Sequence, residues 1–72
     1  MAHHTFILTG EYIALCDLLK VTGHAPSGGA AKALIADGAV QVDGEVEFRK
    51  TAKIRAGQRI WLFGEEIFVK AG

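Results

Sequence analysis

This chain has few of the features that mark secreted, membrane-bound or catalytic proteins. Of its 72 residues one is cysteine, Cys16, so no internal disulfide can form and a reducing cytoplasm is the expected setting. No apolar run approaches the roughly 20 residues that a membrane-spanning helix requires. The opening MAHHTFILTG has no basic n-region, and Phe6-Ile7-Leu8 is too short for a signal-peptide core. The histidines give no metal pattern: His3 and His4 sit at a terminus and His24 in a loop without evident partners. No Ser–His–acid arrangement or carboxylate pair is legible, and Cys16 falls on an apolar stripe, as a core thiol would. Neither catalysis, a metal nor another cofactor is expected.

Net charge is also missing: eight bases balance eight acids. The distribution says more than the sum. Residues 1–47 hold six acids and two bases, whereas residues 48–64 hold Arg49, Lys50, Lys53, Arg55, Arg59 and no acid. A cationic stretch inside an otherwise acidic chain is the pattern of a localised anion-binding surface.

What is present is a folded composition, half apolar with nine glycines. Thr5–Leu8 reads as a short edge strand. Thr9 is placed to cap a first helix, with Glu11 in its first turn, and Tyr12, Leu15, Cys16 and Leu19 recur at helical spacing on one face. Leu18 widens that face, Asp17 and Lys20 point away, and Gly23 stops the helix. Pro26 turns the chain, Ser27 caps a second helix over residues 28–37, and Gly38 closes it. Ala31, Leu34 and Ile35 form the buried stripe of that helix. The period then becomes two. Val40 and Val42 lead to Asp43-Gly44, a type I′ hairpin signal, and Val46 and Phe48 return. Ala56-Gly57-Gln58 marks a turn, Ile60–Phe63 a strand, Gly64-Glu65 a tight turn and Ile67–Val69 the last strand. This order predicts one α+β domain over residues 1–72, two helices packed on one side of a small antiparallel sheet.

The stretch SGGAAKALIADGAVQVDG (residues 27–44) resembles the S4 RNA-binding motif, a pair of helices followed by a turn into a strand and an Asp-Gly or Asn-Gly turn. Ala31, Lys32, Ile35, Gly38, Val40, Val42, Asp43 and Gly44 match it, and RKTAKIRAGQRI resembles the basic segment that follows in the family. The likeness runs over nearly the whole chain and is greatest to small, stand-alone bacterial members. It implies an S4-like (αL motif) domain that binds structured RNA, such as rRNA or tRNA, in the cytoplasm without catalysis or contact with a membrane. A ribosomal or other protein partner is compatible with it. Two departures stand out: many members carry an Arg beside the helix-start Ser, where this chain has Gly28-Gly29, and most are basic.

The expected contacts follow from the residues. Ser27, Gly28 and Lys32 lie at the start of the second helix, where free N–H groups and the dipole favour a phosphate. Arg49, Lys50, Lys53 and Arg55 repel one another unless a polyanion or the neighbouring Glu45, Glu47, Glu65 and Glu66 neutralise them. The resemblance places Gln41 at the RNA surface. Trp61 and Phe63 share one side of their strand, where packing is favoured over stacking on a base. Two other functions stay open at this level. One is a protein-interaction module that keeps the fold and has lost RNA. The other is a β-grasp sulfur carrier, whose tail GQRIWLFGEEIFVKAG resembles, but whose central helix and leading hairpin conflict with two helices ahead of the main sheet.

Overall fold

The computed structural model describes residues 3–72. Seven strands and two helices succeed one another: β1 (His3–Leu8), β2 (Ile13–Ala14), α1 (Leu15–Val21), α2 (Gly28–Ala36), β3 (Gln41–Val42), β4 (Glu45–Val46), β5 (Lys53–Ile54), β6 (Arg59–Leu62) and β7 (Glu65–Ala71). Five strands form one sheet in the order β1-β7-β6-β3-β4, and β2 pairs with β5 in a separate two-stranded ladder. The α+β architecture matches expectation, and β1 is an edge strand. The sheet is mixed rather than wholly antiparallel, because β1 runs parallel to β7, with His3 beside Glu66 and Leu8 beside Ala71.

The core lies between the helices and one face of the sheet. Leu15, Leu18 and Leu19 of α1, Ala31 and Ile35 of α2, Val40 just before β3, and Ile60, Leu62, Ile67 and Val69 of the sheet are fully buried. Period two is plain in β6, where Ile60 and Leu62 face inward and Trp61 is half-buried on the other side. Cys16 is a buried free thiol, as its place on the stripe suggested. Leu34 is only partly buried, at the margin of the core.

Both helices stop by the same device. Thr22 and Asp37 are the last half-helical residues, and Gly23 (φ +81°) and Gly38 (φ +78°) follow in the left-handed region. The next amides, of His24 and Ala39, donate back to the carbonyls of Leu19 (2.9 Å) and Leu34 (3.1 Å), which makes each end a Schellman motif. At the start of α2 the Ser27 hydroxyl accepts the Ala30 N–H at 3.1 Å, the expected cap.

The beginning of α1 departs from the sequence reading. Thr9 does not cap it, and Tyr12 is not on its buried stripe. The helix begins at Leu15 after Ala14, which offers no side-chain cap. Gly10, at φ +135°, interrupts any helix there, and Ile13 and Ala14 pair instead with Ile54 and Lys53. The second hairpin also shifts by one residue. Its turn is Phe63-Gly64, with φ +49° and +76°, so Phe63 leaves the strand and Glu65 opens β7. Asp43 (φ +53°) and Gly44 (φ +88°) take the positive angles that a type I′ turn demands.

Candidate nucleic-acid interface

The segment from the end of β4 to just beyond β5 carries the bases, and the backbone explains how it holds them outward. The uncapped start of α1 leaves amides without helical partners. The Leu15 N–H donates to the Ala52 carbonyl at 2.9 Å, and the Cys16 N–H to the Lys50 carbonyl at 3.1 Å. Ala52 itself is buried, and Ile54 enters the core. With these inward anchors, the side chains of Arg49, Lys50, Thr51, Lys53 and Arg55 are left on the exposed side. Lys53 and Arg55 flank the buried Ile54, as strand alternation requires.

The outcome is an open groove of about 960 Å³ lined by Lys32, Phe48, Arg49, Lys50, Thr51, Ala52 and Lys53. Lys32 comes from α2 and the rest from the loop and the first residue of β5, so two separated parts of the sequence meet here. Arg55 continues the surface beyond Lys53. The Lys53 ammonium stands 5.0 Å, and the Arg55 guanidinium 5.9 Å, from the centre of the Tyr12 ring. Tyr12 and Phe48 are both largely exposed, Phe48 at 61 %. Phe48 lies against Gly38, where a Cβ would come 3.3 Å from the ring, so the glycine that ends α2 also makes room for this aromatic.

Among the described residues, Lys32, Lys50, Lys53 and Arg55 have no carboxylate within salt-bridge distance. Arg49 does: its guanidinium lies 3.1 Å from Glu47, and its backbone N–H donates to the same carboxylate at 3.0 Å. These bonds, the side-chain one first, hold the Glu47 carboxyl below the ordinary glutamate range and raise Arg49 above its own. Arg59, the fifth base of the cluster, belongs elsewhere. It pairs with Glu66 at 3.3 Å and stacks on Phe68, its guanidinium 4.9 Å from the ring centre.

Of the remaining expected residues, Ser27 is engaged as the helix cap, and Gly28 is beside it with open space where a Cβ would project. Neither lines the groove. Gln41 is set apart from it: with Trp61, its cross-strand partner, it borders a second depression together with Asp43, Gly44, Arg59 and Glu66. That depression has two carboxylates and one already paired base. The aromatic neighbours Tyr12 and Phe48 were missed by sequence reasoning. For Tyr12 the available signal was Gly10, which makes a helix starting at Thr9 costly.

One further expectation fails. His24 has partners, and His4 is in a paired strand: both ring Nε2 atoms approach Glu65, at 2.7 and 3.1 Å.

A helix pair leading through a glycine stop into an Asp-Gly hairpin, with a basic segment folded back beside the second helix, defines an S4-type domain. The S4 domain family model matches residues 6–70, and this chain belongs to that family. It is 50 % identical over 60 residues to YbcJ of Escherichia coli strain K12 and equally to YbcJ of Shigella flexneri, covering 83 % of this chain and 86 % of each relative. The solution structure of Escherichia coli YbcJ superposes with a TM-score of 0.70 at 45 % identity, covering 99 % of this chain and 89 % of that one. That structure is described as revealing an αL motif involved in RNA-binding.

Proposed function

We propose that this chain is a non-catalytic RNA-binding module that recognises structured RNA, such as rRNA or tRNA, in the cytoplasm. The observation that carries the reading is the groove in which Lys32, Lys50 and Lys53 stand without acidic partners beside an exposed Phe48. Four or five like charges brought together by folding repel each other, and a phosphate backbone neutralises them. Arg55 and Tyr12 extend the same surface, and Arg49 joins it by exchanging Glu47 for a phosphate. Ser27 and Gly28, outside the groove, would add the positive end of the α2 dipole, and Gln41 is the outlying member of the set. The description of the YbcJ structure supports the same reading. No described helix is long and apolar enough to cross a membrane.

A salt series tests it. Four or five phosphate contacts give log K a slope on log salt of roughly −3 to −4. Lys53→Ala should weaken binding to different RNAs about equally and reduce the slope by nearly one unit. Salt-independent binding, or a slope unmoved by Lys32→Ala, Lys50→Ala and Lys53→Ala, would refute the groove as the contact surface. A protein partner held through the same fold would then become the leading reading.

A further inference from the structure

His4, His24 and Glu65 are far apart in sequence and meet where the start of β7 lies beside β1 and beneath the end of α1. Their ligand atoms fall within 4.8 Å of one another. His24 is the best positioned of the three, its side chain only 9 % exposed against 42 % for His4 and 41 % for Glu65. The Schellman end of α1 sets its backbone, through the bond from its N–H to the Leu19 carbonyl. Its ring is set by Thr22.

The Thr22 hydroxyl reaches the Leu18 carbonyl at 2.7 Å and the His24 Nδ1 at 2.8 Å. A carbonyl can only accept, so the single hydroxyl proton goes to Leu18. The hydroxyl oxygen is then free to accept from His24 Nδ1, the tautomer in which Nε2 offers its lone pair to a metal. Nε2 is thereby directed at Glu65, 2.7 Å from Oε1, and His4 Nε2 stands 3.1 Å from the same oxygen. Two imidazole nitrogens thus approach one carboxylate oxygen.

We propose that His4 Nε2, His24 Nε2 and Glu65 form a site for a divalent transition metal, with Zn²⁺ as the best match. Two His and one carboxylate, with a fourth position open to water, is a donor set that zinc accepts in open sites. Bonds of about 2.0–2.2 Å in tetrahedral arrangement separate ligand atoms by about 3.4 Å, so the two exposed members, His4 and Glu65, adjust around the buried His24 to complete the site. The Thr22 hydroxyl acts as the outer partner that fixes the tautomer and aim of a ligating histidine. The bound ion would clip the edge strand β1 to β7 and to the end of α1. The site shares no residue with the basic groove and stands independently of RNA binding.

The test is calorimetric titration of the metal-free full chain with Zn²⁺ in a non-coordinating buffer, followed residue by residue in ¹H–¹⁵N spectra. One equivalent is expected to bind, to shift His24 and Glu65, and to raise the melting temperature with free Zn²⁺ in the manner of ligand linkage. Co²⁺ should give the visible absorption of a four-coordinate site. Glu65→Gln and His4→Ala should each weaken binding by about tenfold or more, and Thr22→Val by about 10–100-fold. His3→Ala should leave affinity unchanged. Because the spectra of the unaltered chain already locate the ion, a variant that fails to fold does not decide the matter. Absence of saturable binding to the unaltered chain overturns the site. So does equal loss in His3→Ala and His4→Ala with no shift at His24, which would indicate a loose terminal histidine contact.

Discussion

Phe63 is a bulky residue at φ +49°, a conformation usually left to glycine, asparagine or aspartate, and it is 71 % exposed. It gains little burial for its strain. Phe63→Asn would restore an Asn-Gly type I′ turn and should stabilise the domain by about 0.5–1 kcal/mol, read from a denaturant midpoint. An unchanged or lowered midpoint would mean that Phe63 makes a contact that compensates the strain. Glu47 sets a second expectation. Its carboxyl is held below the ordinary glutamate range by Arg49, so the folded state binds its proton less readily than the unfolded chain. The associated stability is present above the ordinary glutamate pKa and is lost as pH falls through the depressed folded value. Glu65 has the same sign, through His24 first and His4 second. Glu47→Gln should therefore lower stability slightly near neutral pH and leave it almost unchanged in acid, which flattens part of the acid limb of a stability–pH profile; the loss is small because the Arg49 side chain is exposed.

At the scale of elements, the two helices begin differently. α2 carries its own cap, and Ser27→Ala should cost about 1 kcal/mol of stability. Measuring RNA affinity on the same variant separates capping from contact: a lowered melting temperature with unaltered affinity assigns Ser27 to the helix alone. α1 has no cap and takes its first carbonyl partners from the basic segment, so the helix and the basic loop stabilise each other. The stripe of α2 is graded. Ile35 is fully buried, and Ile35→Ala should cost about 2–5 kcal/mol. Leu34, at the margin, should cost less, and an equal loss at both positions would show that the core extends further around α2. Both Schellman ends were legible because glycine beyond an apolar helical stripe has few other uses. The start of α1 was not, since Thr9, Glu11 and Tyr12 satisfy the local preferences of a helix that pairing between β2 and β5 prevents.

Across the whole molecule, zero net charge and a cationic face coexist because folding separates the charges. Arg59, adjacent in sequence to the other bases, turns to Glu66 on the sheet. Lys32, seventeen residues before Arg49, joins the loop. The same separation keeps His4, His24 and Glu65 invisible as a group in the sequence, because β1 and β7 are joined only by parallel pairing of the chain's two ends. The salt dependence proposed above belongs to this scale: it reads the number of cations gathered on one face and is indifferent to their order in the chain.

The sequence by itself determined the two glycine-stopped helices, the Asp43-Gly44 hairpin, the alternating strands, the family resemblance and the cationic stretch. These depend on neighbours within a few residues, where backbone sterics and periodicity decide. Only the tertiary structure decided that β1 lies parallel to β7, that Tyr12 leaves the helix for the basic surface, and which bases keep carboxylate partners. The convergence of two histidines on Glu65 belongs with these. Each depends on residues tens of positions apart, and their meeting is set by packing of the whole core, which no local pattern records.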